Sequence, residues 1–217
     1  MSTGPLPSLR ECNREQRRRT ILTQATALFG QKGIEPTTME QIVEAAGIGS
    51  ATLYRYFPSK NDIAVAAVID AWQQRSQRYL PHITSDAFQE KNGRAQIYDI
   101  LEIFIDLYDH DTDFLRLLLA FDSYVQNGQI SADQLEAYEQ VIIFLQSYAV
   151  AALNKGAADG SLHLSQPPEL VYFTVFHAML SLTAKLACQG HILHMDAAVN
   201  GRDELLLLRD LLMRGLT

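Results

Sequence analysis

The chain has 217 residues, 47% of them hydrophobic, enough for a sizeable core and against global disorder. Its two cysteines, Cys12 and Cys188, are too far apart in sequence to suggest a disulfide framework or a zinc ribbon. The net charge of -7 is unevenly spread: residues 1–60 hold eight basic and five acidic residues, whereas residues 61–217 hold ten and twenty. A basic head on an acidic body fits a molecule that presents one end to phosphate.

Met1 to Arg10 contains Pro5 and Pro7 and lacks an apolar signal core, so a loose leader over 1–12 and a cytoplasmic location are expected. Apolar residues recur at helical spacing along almost the whole chain, and strand signals are nearly absent, so the fold class is all-α. A first helix is predicted from Asn13 to Lys32, with Ile21, Leu22, Ala25, Leu28 and Phe29 on one face, Gly33 as its stop and Pro36 beyond it. A second starts at Thr37-Thr38, where Thr37 and Glu40 have capping-box spacing, and ends at Gly47. A short third helix runs from Ser50 to Tyr56, stopped by Pro58, and Ser59 caps a fourth.

The fourth helix, 61–80, links the head (13–60) to a body (61–217) with five predicted helices: about 94–109, 114–125, 131–152, 168–188 and 202–214. The longest run of large aliphatic residues, Leu205 to Leu208, is far short of a membrane span, so no membrane partner is expected.

The segment TTMEQIVEAAGIGSATLYRYFPSK, residues 37–60, has the proportions of a helix-turn-helix. Ile42, Ala46, Ile48, Leu53 and Phe57 can pack inward, leaving Ser50, Ala51, Thr52, Tyr54 and Arg55 to face a major groove. Lys60 and the run Arg17-Arg18-Arg19 place cations where a sugar-phosphate backbone would pass.

In register, Ala25, Leu28, Phe29, Gly33, Thr37-Thr38, Ile42, Ala46-Gly47-Ile48, Thr52-Leu53-Tyr54, Tyr56-Phe57 and Ser59-Lys60 make residues 13–70 resemble the TetR (tetracycline-repressor-like) family. The resemblance implies a three-helix DNA-binding head on a larger helical-bundle domain for ligand binding and dimerisation. It puts Ser50, Thr52 and Arg55 where bases or the groove are contacted, and Thr38, Tyr54, Tyr56 and Lys60 where phosphates are held. Arg18, Arg19, Thr37 and Ala51 complete the expected DNA-facing set. Two residues depart from the family pattern: Gly49 stands where Ser is usual, weakening the third helix's cap, and Val43 replaces a common Ala.

The expected function is a ligand-responsive transcriptional repressor that binds a near-palindromic double-stranded operator as a homodimer and is released by a small molecule. The alternative is a helical module for a small molecule or protein partner whose DNA binding is weak or lost. No enzyme is expected, because the chain has no nucleophile elbow, phosphate loop or His-rich metal helix.

No metal or cofactor is expected either. Asp109, Asp111 and Asp113 mimic the start of a calcium loop, but Phe114 and Ala120 occupy its required Gly and Glu positions. Cys188, His191 and His194 read as a helix end with surface histidines, since a closed zinc site needs four ligands. Phe104, Tyr108, Phe121, Asp122, Phe144, Tyr148, Phe173 and His177 are candidate ligand residues for an apolar or aromatic effector. Phe176, Leu180, Leu205, Leu208 and Leu212 are the expected dimer interface.

Overall fold

The computed structural model describes residues 8–128, 130–190 and 198–216. Among the described residues ten α-helices follow one another with no strand, as the all-α reading requires. The head holds α1 (Leu9–Lys32), α2 (Met39–Ala46) and α3 (Ser50–Tyr56). From it runs α4 (Lys60–Ile83), followed by the one-turn α5 (Asp86–Gln89), α6 (Gly93–His110), α7 (Thr112–Gln126), α8 (Ala132–Asp159), α9 (Pro168–Gln189) and α10 (Gly201–Gly215).

Side-chain caps set the head's boundaries. Ser8 and Glu11 form a capping box that starts α1 at Leu9, so the helix reaches into the stretch expected to be leader. Residues 1–7 of that leader lie outside the described residues. The second box uses Thr38 and Gln41, not Thr37 and Glu40. Thr37 is 1% exposed, and its hydroxyl donates to the Gly33 carbonyl at 2.7 Å. Gly47 closes α2 at φ 62°, a left-handed conformation that only glycine adopts without steric cost. As the sequence implies, Gly49 gives α3 no side-chain cap. Ile21, Leu22, Phe29, Ile42 and Leu53 are buried where α1 to α3 meet the first turns of α4.

In the body, α6 packs between α8, α9 and α10. Gly93 opens α6 and meets α8 backbone to backbone, because a Cβ there would coincide with Gly156. The Gly93 N–H donates to the Asp159 carboxylate at 2.9 Å, fixing that crossing. By length and composition alone α8 and α9 are each apolar enough to cross a membrane, a test that core helices also pass. Here α9 turns Tyr172, Val175, Met179, Thr183 and Ala184 inward, and packs against α6, α7, α8 and α10.

In α10, Leu205, Arg209 and Met213 point inward at four-residue steps. Arg209 bonds Glu102 and Asp210, and its guanidinium lies 4.4 Å from the Tyr98 ring centroid. Leu207 and Leu211 therefore face outward, 60% and 53% exposed. Of the residues expected at the interface, Leu205 is wholly buried within its own chain, and Leu208 and Leu212 are half-buried against the core.

Candidate functional site

Two sites are built on the two ends of α4. At the head, α3 leaves Ser50, Ala51, Tyr54 and Arg55 exposed, with Thr52 and Tyr56 half-buried beside them. The Arg55 guanidinium stands 5.7 Å from the Tyr56 ring centroid. Arg18 is half-buried and leans over Phe57 at 5.6 Å, while exposed Arg19 pairs with Glu15 at 3.3 Å. Thr38 is exposed, its hydroxyl already accepting from the Gln41 N–H. Thr37, expected on the DNA-facing side, is a packing residue whose hydroxyl is used internally.

Lys60, expected where a phosphate is held, already has partners within the chain. Its Nζ donates to the Glu35 carbonyl at 2.7 Å and stands 5.5 Å from the Tyr124 ring centroid, at the joint between head and body. The Tyr124 hydroxyl donates to Asn61 Oδ1 at 2.7 Å, and Gln134 Nε2 reaches Asp62 at 3.4 Å. The first turn of α4 is thus tied to the end of α7 and the start of α8.

The far half of α4 is one wall of a cavity of about 670 Å³ that α6, α7, α8 and α9 complete. Five of the expected ligand residues line it: Phe104, Asp122, Tyr148, Phe173 and His177. Three do not. Adjacent helix residues point about 100° apart, so with Asp122 in the wall Phe121 turns into the core, edge-on to Tyr138 at 5.1 Å. The Tyr108 hydroxyl crowds Gly201 on α10, and Phe144 lies half-exposed over a shallow groove with Gln73, Gln77 and Gln140. Phe176 and Leu180, expected at the dimer interface, line the cavity, with Phe176 5.5 Å from Phe104 and 4.4 Å from Tyr172.

The sequence reading missed the α4 contribution altogether: Trp72, Arg75, Ser76, Tyr79, Leu80 and Ile83. Trp72 packs edge-on against Phe114 at 4.9 Å, and its buried indole N–H has no hydrogen-bond partner. Arg75 stacks over the same ring at 4.4 Å and pairs with Asp111 at 2.5 Å. Arg78 bridges Asp111 and Asp106, and the Tyr79 hydroxyl also donates to Asp106.

Burial raises the Asp122 carboxyl above the ordinary carboxylate range. Burial likewise pushes the Tyr138 phenol up to about 12, and nearby Asp122 adds to the rise. Asp122, Phe173 and His177 line the cavity yet stay accessible, so it opens to solvent on their side. Among the described residues no three His, Cys, Asp or Glu side chains gather as metal ligands; His191 and His194 lie outside those residues.

The family profile described as "Bacterial regulatory proteins, tetR family" matches residues 21–67, which span the end of α1 to the first turns of α4. The chain is 28% identical over 130 residues to the HTH-type transcriptional activator FasR of Mycolicibacterium smegmatis, covering 58% of this chain and 55% of that relative. The match thus spans about half of that relative's length. Among solved structures, the reduced form of Escherichia coli NemR superposes with a TM-score of 0.69 at 17% identity, covering 93% of this chain and 98% of that one. NalD, the secondary repressor of the MexAB-OprM multidrug efflux pump in Pseudomonas aeruginosa, superposes with a TM-score of 0.63 at 19% identity, covering 94% and 97%. At these identities the structural likeness speaks for the fold.

Proposed function

This chain belongs to the tetR family of bacterial regulatory proteins, its amino-terminal residues carrying the match, and from that premise we propose a cytoplasmic, non-enzymatic transcriptional repressor. It acts as a homodimer, reads a near-palindromic operator with α3, and is released when a small molecule enters the body cavity. The observation that carries this reading is the continuity of α4. One uninterrupted helix starts at Lys60 under the DNA-facing helices and becomes cavity wall from Trp72 onward, about 18 Å away at 1.5 Å per residue.

Ser50, Ala51, Thr52, Tyr54 and Arg55 supply the groove-facing side, and Arg18, Arg19, Thr38, Tyr56 and Lys60 supply flanking polar and cationic groups. Lys60 would exchange its bond to the Glu35 carbonyl for a phosphate. The domains follow from the same division: a head of α1 to α3 seated on the first turns of α4, and a body from there onward.

An occupant that spreads the cavity displaces the Trp72–Ile83 half of α4, and the ion pairs of Arg75 and Arg78 with Asp106 and Asp111 resist that movement. In a dimer the two heads must meet half-sites one helical turn apart, so a shift of α4 changes their spacing and weakens operator binding. Exposed Leu207 and Leu211 on α10, with Ile143 on α8 and Leu170 on α9, supply apolar surface for the second copy.

Fluorescence anisotropy of the protein against DNA flanking its own gene, across a salt series, tests the reading. The expected outcome is tight binding to one near-palindromic site that weakens steeply with salt. Arg55→Ala should cost about 1–3 kcal/mol at the operator and relax its sequence preference. Tyr54→Ala should weaken binding evenly across sequences. Dimerisation and small-molecule uptake without binding to any DNA would overturn the regulator reading and favour a ligand module.

A further inference from the structure

We propose that the cavity takes an apolar-bodied organic cation, with Asp122 as its counter-ion and the neighbouring aromatic rings as its second contact. This rests on the reading of the cavity as the effector site and names the class of ligand it would hold.

The charges in the wall are unequal in one respect. Arg75 is already neutralised: Asp111 holds its Nη2, the Ala71 carbonyl accepts from Nη1, and its plane lies on Phe114. Its remaining donor, the buried Nε, has no hydrogen-bond partner, and no ion pair joins Arg75 to Asp122. No Lys, Arg or His among the described residues comes within ion-pair distance of Asp122, and the second acid of the wall, Glu139, also lacks such a partner. The one imidazole of the wall, His177, leans on the Phe173 ring at 5.6 Å.

The rest of the lining is overwhelmingly apolar. Ile100, Ile103, Ile142 and Leu180 supply aliphatic surface, and Phe104, Tyr138, Tyr148, Tyr172 and Phe176 supply rings. Asp122 stands on the open side of this lining, accessible to solvent and with no cation beside it. An anionic ligand would add repulsion from two acids, and a neutral apolar one would strip water from Asp122. A cation reverses that cost, and each ring face within about 6 Å of it adds attraction. The desolvation that raises the Asp122 carboxyl agrees with this arrangement. A cavity of about 670 Å³ holds a drug-sized molecule.

Trp72 is the only tryptophan of the chain and stands in the cavity wall, so its fluorescence reports occupancy. The test titrates the full-length protein with tetraphenylphosphonium and with tetraphenylborate, which share size and shape and differ in sign of charge. The expected result is a preference for the phosphonium on the order of tenfold. Asp122→Asn should remove most of that preference by weakening the phosphonium alone, and Asp122→Glu should restore it.

An equal or reversed preference in the wild type, no phosphonium binding up to about 1 mM, or a preference unchanged by Asp122→Asn would overturn the proposal. The wild-type ratio needs no variant to fold. Operator binding is measured separately: its absence breaks the regulator reading and leaves the charge preference standing, whereas intact operator binding without charge preference breaks only the present proposal.

Discussion

The head's largest buried side chains, Ile21, Phe29, Ile42 and Leu53, are closed off from solvent. The body has a closed core of its own, with Ile97, Leu101, Phe114 and Phe121 wholly buried, but other side chains of α4, α6, α8 and α9 stand back around a cavity of about 670 Å³. The head is also short-range in its logic: three capping boxes, one left-handed glycine and two prolines set nearly every boundary. The body depends on long-range crossings such as Gly93 on Gly156, and keeps an acid in an apolar wall. A surface that must hold a fixed shape against DNA gains from close packing, whereas a chamber that admits a ligand needs unfilled space and gives up contact energy to keep it.

The sharpest way to break this comparison is to make one change in both regions. Ile42 is wholly buried in the head; Ile142 is half-buried and faces the cavity. Ile42→Ala should destabilise by about 2–5 kcal/mol, because neighbours on every side lose contact. Ile142→Ala enlarges an existing void and should cost about 1 kcal/mol or less. Urea unfolding of the two variants measures both. Equal costs would mean that the cavity closes in solution and that the two regions are packed alike.

The same contrast explains what could be read from the sequence. The boundaries of α3 were legible to the residue, since Gly49 and Pro58 flank it directly. The start of α1 was not, although Ser8 and Glu11 stand at capping-box spacing: every residue from Asn13 to Thr20 is polar, so this stretch carries no periodic signal. Thr37 and Thr38 each have a possible box partner three residues on, and only the packing of Thr37 under Gly33 decides between them.

In the body, helices were legible but their facing was not. An apolar side chain against a void and one against a neighbour look alike in sequence, which hid the part of α4 from Trp72 to Ile83. With four consecutive leucines every face of α10 reads as apolar, and it is Arg209, drawn in by Glu102 and Tyr98, that sends Leu205 inward and Leu207 outward.

A smaller effect tests how far the two regions are joined. Tyr124→Phe removes the hydroxyl that donates to Asn61 and leaves the ring beside Lys60. The expected loss of stability is about 0.5–1.5 kcal/mol. Its signature is faster amide exchange in the first turn of α4, with no change in cavity occupancy read from Trp72. If exchange speeds up equally along α6 and α9, Tyr124 supports the body in general and is no specific tie between body and head.

The smallest effect concerns Asp122, and its sign follows from burial. Because the folded state raises this carboxyl's pKa, folding favours the protonated form. The stabilisation this gives is fully present in acid, below the pKa of an unfolded aspartate, and is lost as the pH rises through the higher folded-state value. Asp122→Asn cannot titrate and lacks that loss, so its melting temperature should exceed the wild-type value by more at pH 7 than in acid, where the two converge. A constant difference across pH would mean that the carboxyl is as well solvated in the cavity wall as in water. Adding tetraphenylphosphonium at pH 7 should shrink or invert the gap, because a cation in the cavity stabilises the ionised carboxylate and gives the asparagine much less. The pH series alone reads the desolvation of Asp122, and the same series with phosphonium reads whether the cavity uses that carboxylate to hold a charge.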